Sequence, residues 1–320
     1  MQLNFKTVKN ILVVRNDRFG EFLLNIPALR ALKETFINAK LIAMVDPYVK
    51  ELAAGIPFID EVISWQAKRH SLTETLKLIR SLRKKHFDIA VVLNPSKELH
   101  MITTLAGIPV RVGYNRKWGR LLTHRIEDKK YLGDKHEIEY NLQLVGLIGA
   151  KTENLALSLN VNNDIIEQES IIAIHPWTSD PLKQWPLDNF YALAKKLTEI
   201  PGLKIIIVGG RQEEEKSIRL LKGLENRVVN LTGKTSLLQL AAVLKKCKLL
   251  ISADSGPVHL ACSVGTPVLA IFRNDIPGKG PARWGPRGKN SFVIAKNSLE
   301  DIKVEEVLEK AKDILLKNPG

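Results

Sequence analysis

The feature that most constrains this chain is a repeated alternation of short apolar runs with amphipathic stretches of helical length. The first run is "ILVVR", Ile11–Arg15. The stretch that follows, to Phe36, sets Phe22, Leu23, Ile26, Leu29, Ala31 and Leu32 at helical spacing. After "KLIAMVD", Asp46 and Pro47 supply an N-cap acid and a proline suited to a first helical position. "EVISW" and "DIAVVLN" (Asp88–Asn94) read as further buried strands. Between them lies an amphipathic helix over 72–86, with apolar residues at 72, 76, 79 and 82. Strands that alternate with helices pair in parallel, because returning in the same direction needs a long crossover, and that crossover is right-handed.

From Tyr131 to about Gln168 the rhythm weakens to one helix near His136–Ile148 and the polar stretch "NVNNDIIEQES", which reads as a linker. It restarts at "IIAIHP" (Ile171–Pro176), with a helix after Pro186, then "KIIIVGG" (Lys204–Gly210) and a helix from Gln212. "RVVNLTG", a helix from Ser236 to Lys246, "LLISADS", a helix after Gly256, "VLAIFR" and a last helix over 304–316 complete the pattern. The economical arrangement is α/β: two Rossmann-like, doubly wound domains, 1–160 and 161–320, facing a central cleft. The final helix would be free to pack back on the first domain.

Composition narrows the function. Of 320 residues only Cys247 and Cys262 are cysteines, both in apolar surroundings, which argues against a disulfide framework or a zinc site. "MQLNFKTVKN" lacks a signal-peptide core and no apolar run reaches the length of a membrane span, so a cytoplasmic protein is expected. The net charge of +14 leans toward residues 1–150, which carry 24 Lys and Arg against 15 Asp and Glu. A phosphorylated substrate, an anionic membrane or a lysine-rich soluble surface would each account for it. Nucleic acid is disfavoured, because the basic residues are scattered, aromatics are 6% and no nucleic-acid-binding motif occurs.

Open parallel sheets bind ligands beyond the carboxyl ends of their strands, and four such turns are unusual. In "ISADSGPVHLACSVGTPVLAIF", Ser255 and Gly256 lie where a helix exposes unpaired N–H groups, and His259 follows one turn later. Asp254 is out of place beside an anion; it reads as an N-cap or as an acceptor for sugar hydroxyls. "HPWTSDPLKQWP" holds Thr178, Ser179 and Asp180, then Lys183, which would neutralise a diphosphate. In "VGGRQEEEK", Glu213 to Glu215 enter the first turn of a helix, where glutamates complement the dipole, or where one of them would grip ribose hydroxyls as acids after a strand end do in dinucleotide folds. "RNDRFGEFLLNIP" is neither a dinucleotide fingerprint nor a Walker loop, but it sets Glu21 at a helix start, as a general base or as a dipole partner.

Together, "ILVVRNDRFGEFLLNIPALRALK", "IAIHPWTSDPLKQWP" and "ISADSGPVHLACSVGTPVLAIF" resemble the ADP-heptose:lipopolysaccharide heptosyltransferases, glycosyltransferase family 9 of the GT-B type. The resemblance implies that ADP-heptose binds the second half and the lipopolysaccharide inner core the first. It also implies inversion at the anomeric carbon without a metal or cofactor, the ADP-sugar being a substrate. Carried over, Lys183, Ser255, Gly256 and His259 would hold the diphosphate, with Thr178 and Ser179 lining the pocket and Asp254 on the heptose side. Glu213 would meet the ribose and Thr235 the adenine. Glu21 and Lys183 are the catalytic candidates, although the family pattern has an aspartate where this chain has Glu21.

Acceptor candidates are Arg18, Lys68, Arg69, Arg116 and Arg120, with Arg111 and Lys117 in the same basic stretch. They suit phosphorylated core sugars or peripheral contact at the inner face of the cytoplasmic membrane. A GT-B transferase for another nucleotide sugar or acceptor, or a sugar-nucleotide-binding protein without turnover, fits the same residues.

Overall fold

The structure is a computed structural model and describes residues 7–66, 70–161 and 170–317. The chain divides into two compact units, Met1–Tyr131 with Lys135–Ala156, and Leu132–Asp134 with Leu157–Gly320. The first contains β1 (Asn10–Val14), α1 (Phe19–Leu23), α2 (Ile26–Thr35), β2 (Lys40–Val45), α3 (Lys50–Ala54), β3 (Glu61–Ser64), α4 (Leu72–Lys84), β4 (Ile89–Val92), α5 (Lys97–Leu105), β5 (Val110–Tyr114), β6 (His124–Ile126) and α6 (Glu137–Gly146). The second contains β7 (Ile171–His175), α7 (Leu187–Leu197), β8 (Lys204–Ile207), α8 (Glu214–Leu220), β9 (Val228–Asn230), α9 (Leu237–Lys245), β10 (Leu249–Ala253), α10 (Gly256–Ser263), β11 (Val268–Arg273), α11 (Pro281–Trp284), β12 (Ser291–Lys296) and α12 (Val304–Lys317).

Each unit is built on a six-stranded sheet, ordered β3-β2-β1-β4-β5-β6 in the first and β12-β11-β10-β7-β8-β9 in the second. Every pairing is parallel. Counted from its own first strand, each sheet has the doubly wound order 3-2-1-4-5-6. The order reverses between β1 and β4, where Val14 pairs with Val92, and between β7 and β10, where His175 pairs with Ser252. Chains leaving those neighbouring strands go to opposite faces and leave a crevice at the carboxyl ends.

The central strands are the apolar runs of the sequence: β1, β4, β7, β10 and β11 bury almost every residue. Helix starts follow the local chemistry. Ser71 and Glu74 form a capping box on α4, as do Ser236 and Gln239 on α9, and Asp46 accepts from the Tyr48 amide. The basic stretch around Arg111–Arg120 contains strands that the sequence pattern does not show, since β5 and β6 extend the first sheet through Val112↔His124. Arg111 and Gly113 interrupt the apolar run of β5, which hides it from a hydrophobicity reading. Helix α5 and the edge strand β12 are likewise found only in the structure. The polar stretch expected as a linker lies largely outside the described residues.

Helix α12 packs on α7 and β10, with Val304, Val307, Ala311 and Ile314 in the core of the second unit. That core is pinned by Trp185, fully buried, whose Nε1 donates to the Ile302 carbonyl (3.0 Å) and whose ring meets Phe190 edge-on at 4.8 Å. Among the described residues no helix is long and apolar enough to cross a membrane. Trp185→Ala removes a large buried ring and a hydrogen bond, and should lower unfolding stability by about 3–5 kcal/mol. The loss should appear in urea denaturation as a lower midpoint for the second unit.

Candidate active site

In the second unit the crevice lies between the ends of β7 and β10. The chain leaving β7 turns at Thr178, whose hydroxyl donates to the Asp180 carbonyl (2.5 Å) and accepts from the Asp180 amide (3.1 Å). Asp180 in turn accepts from the Leu182 amide (3.1 Å) and caps a single 3-10 turn, Pro181–Lys183. The end of β11 and the loop after it brace this turn from the side: Arg273 donates to the Leu182 carbonyl (2.9 Å) and Lys279 pairs with Asp180 (2.8 Å). Lys183 therefore stands on a clamped loop, with its ammonium 2.6 Å from Asp254 Oδ2 and 5.7 Å from the centre of the Trp284 ring.

Asp254 follows β10 directly and is buried. Burial pushes its pKa up to about 6 against the pull of Lys183, and Asp180 adds to the rise. Ser255, the N-cap of α10, makes no side-chain bond to the helix. Its hydroxyl instead meets His175 Nδ1 (3.0 Å) and Ser252 Oγ (3.0 Å) and donates to the Ala253 carbonyl (3.1 Å). The N–H groups at the start of α10 thus lack a capping side chain, and the positive helix end remains available to an anion. His175 is held neutral, since burial takes its pKa down to about 3. His259 is buried one turn into α10.

The structure brings Lys183, Asp254, Ser255 and Gly256 together. Thr178 spends its hydroxyl on the turn, and Ser179 is exposed beside it. Glu213, half-buried after β8, folds its carboxylate over Gly210, where an added Cβ would lie 2.9 Å from Oε2. Thr235 is half-buried immediately before the cap of α9. At the end of β8, a Cβ on Gly209 would lie 2.6 Å from Trp177 Nε1 and 2.9 Å from Thr232, so only glycine lets the three strand ends close up. Sequence reasoning missed Arg273, Lys279 and Trp284, although the glycine- and proline-rich stretch after "VLAIFR" marks a strand-end loop.

In the first unit the matching crevice is organised by Arg15, which is 4% exposed at the end of β1. Its guanidinium donates to Asp17 (2.7 Å), to Glu21 and to the Leu93 carbonyl (3.4 Å), and lies 3.7 Å from Glu137. Glu137, on α6, also pairs with Lys130, which donates to Asn141 (3.2 Å) and faces the Tyr114 ring at 4.5 Å. Glu21 falls in the first turn of α1, so a helix dipole and Arg15 both hold its carboxylate. Burial drives the Asp17 carboxyl up to about 6, with Arg15 opposing and Glu21 adding.

The described acceptor candidates lie in the first unit. Arg18 is exposed at the N-cap of α1, Arg116 pairs with Asp128 (2.9 Å), and Arg120 is exposed in the turn before β6. Arg111 belongs to the scaffold, since its guanidinium donates to the carbonyls of Leu121 and Ile108. Lys68 and Arg69 lie outside the described residues. Among the described residues no three His, Cys, Asp or Glu side chains converge as metal ligands.

Two six-stranded parallel sheets of this order, each with a polar crevice at its switch point, make the α/β architecture of the GT-B fold. The model of glycosyltransferase family 9 (heptosyltransferase) matches residues 75–312, and the chain belongs to that family. A Haemophilus influenzae protein, named no more specifically than as a glycosyltransferase, is 27% identical over 300 residues (87% of this chain, 86% of that one). Lipopolysaccharide heptosyltransferase 2 of Escherichia coli K12 is 24% identical over 295 residues (85% and 84%). The solved structure of E. coli ADP-heptose lps heptosyltransferase II superposes with a TM-score of 0.85 at 24% identity, covering 97% of this chain and 100% of that one.

Glu137 is a carboxylate that two buried cations share, and it is the ion-pair partner of Lys130. Glu137→Ala takes that partner from the buried ammonium and should cost about 3–5 kcal/mol of stability by chemical denaturation.

Proposed function

We propose that this protein is an inverting, metal-independent heptosyltransferase that moves heptose from ADP-heptose to the inner core of lipopolysaccharide. The observation that carries this reading is Lys183, held 2.6 Å from Asp254 on a clamped loop beside the uncapped start of α10, at the β7/β10 switch point. An ammonium and a helix N-terminus together suit a diphosphate. Family membership supplies the sugar-transfer chemistry, and the names of the relatives supply the donor and the acceptor pathway.

A nucleoside diphosphate is already a good leaving group. The protein must position it, stabilise the charge that develops on it, and deprotonate the attacking hydroxyl. Lys183 and the amides around Ser255 and Gly256 take the departing charge. Glu213 and Thr235 serve the ribose and adenine ends, with Thr178 and Ser179 shaping the loop between. Glu21 is the base. Arg15 orients its carboxylate, and the exposed edge of that carboxylate takes the acceptor proton. A direct displacement by the acceptor oxygen on the face opposite the diphosphate inverts the anomeric carbon. The step asks for neither a protein nucleophile nor a metal. Arg18, Arg116 and Arg120 would meet anionic groups of the acceptor or of the membrane that carries it, and Lys68 and Arg69 belong to the same proposal. The protein then works at the cytoplasmic face of the inner membrane as a peripheral enzyme.

Calorimetric titration with ADP, UDP and GDP in the presence of EDTA tests the donor site. ADP should bind selectively, and Lys183→Ala should weaken it by about 10- to 100-fold, the worth of a charge-assisted contact. Equal binding of the three nucleotides rules the assignment out. With ADP-heptose and a heptose-deficient core acceptor, Glu21→Gln should bind ADP normally while kcat falls by about 10²–10⁴-fold. Unchanged turnover removes Glu21 as the base.

A further inference from the structure

Charge matching around Lys183 exposes a difficulty for any diphosphate that binds there. Three of the cations on the loops around the crevice already have a carboxylate. Lys183 has Asp254 (2.6 Å), Lys279 has Asp180 (2.8 Å), and Arg273 has Asp275 through two contacts. Arg283 lies over the Trp284 ring at 4.4 Å, His175 is neutral, and His259 sits buried in α10. A diphosphate adds two or more negative charges to this balanced set and claims the ammonium that Asp254 holds. If Asp254 stayed ionised it would be a buried carboxylate that had lost its counter-charge and gained an anionic neighbour, a costly combination.

We propose that Asp254 is the proton carrier of the donor site, taking up a proton when the diphosphate displaces it from Lys183 and then donating its O–H to a diphosphate oxygen. This role deepens the donor-site reading given above and rests on it. It also explains why an acid stands at an anion seat, since a neutral carboxyl is a donor there and not a repelling charge. The carrier is Asp254 because the alternatives are worse placed. Asp180 is held low by its bond from Lys279, with help from the Leu182 amide, and Asp275 is held low by Arg273. Asp254 is the acid that is both buried and in contact with Lys183. Its burial already raises its pKa to about 6. The positive end of α10 favours its ionised form, and an anion seated there cancels that help.

The sign of the linkage follows. Well below pH 6 Asp254 is already protonated and binding takes up little. Above it, binding requires uptake that approaches one proton per site, and donor affinity falls by up to about tenfold per pH unit.

The test uses an ADP-sugar such as ADP-glucose, whose diphosphate is esterified at both ends and so has no group that titrates near neutrality. Its binding is followed calorimetrically at pH 7.5 in buffers of different ionisation enthalpy, and its affinity from pH 5.5 to 8.5. Wild-type protein should take up about one proton per ligand and bind more weakly as pH rises. Asp254→Asn should bind with no uptake and with pH-independent affinity, whereas Asp180→Asn should keep the uptake. Binding without uptake by the wild-type protein overturns this proposal and leaves the donor site standing. Uptake that vanishes in Asp180→Asn overturns it as well. Failure of both ADP and ADP-glucose to bind overturns the donor-site reading and this inference with it.

Discussion

Everything at the candidate site depends on the reversal of strand order between β7 and β10, and between β1 and β4. Parallel strands paired side by side send their connections to opposite faces of the sheet, and the gap they leave is lined by whatever residues end the strands. In the second unit these are the loop carrying Lys183 and the turn carrying Asp254, on strands paired through His175 and Ser252. In the first unit they are Arg15 and the residues up to Glu21. The same topology used twice yields two crevices of different electrostatic character. One holds a lysine paired with a single buried carboxylate, the other a carboxylate fixed by a buried guanidinium.

Both crevices follow one electrostatic rule, that a buried charge is tolerated only with a partner. Arg15 is almost fully buried and is met by Asp17, Glu21 and Glu137. Lys130 shares Glu137 and is further held by Asn141. Around Lys183 the pairing is pairwise, and Lys183–Asp254 and Lys279–Asp180 each join two segments far apart in the chain. A pairwise arrangement can exchange one anion for another. The Arg15 cluster, with several carboxylates on one guanidinium, is built to hold position.

Much of this was legible in the sequence because the central strands bury both faces and read as uninterrupted apolar runs. Strands β1, β4, β7, β10 and β11 are visible for that reason, as are helices announced by Asp46-Pro47 or Ser236. The sheet edges are less legible. An edge strand needs one paired neighbour and tolerates charge, so the short "HRI" of β6 passes for loop, and beside it Arg111 and Gly113 break the apolar run of β5. Lys183 and Asp254 were identifiable one by one, as a basic residue and an acid at strand ends. Their contact was not, nor was the bracing by Lys279, which lies 99 residues from the Asp180 it holds. Glu137 carries no signal at all in a sequence where glutamates open many helices.

The sequence by itself determined the alternation of elements, the parallel pairing it enforces and the family, because local periodicity and turn chemistry are written in neighbouring residues. It also placed an acid, a hydroxyl and a glycine at the start of α10 and a lysine after β7. Only the tertiary structure decided which charges face each other. Ion pairing depends on distances of a few ångströms between loops far apart in the chain, and those distances are set by sheet register and helix packing. That is why Asp254 reads as an anomaly in sequence and as the counter-charge of Lys183 in the fold.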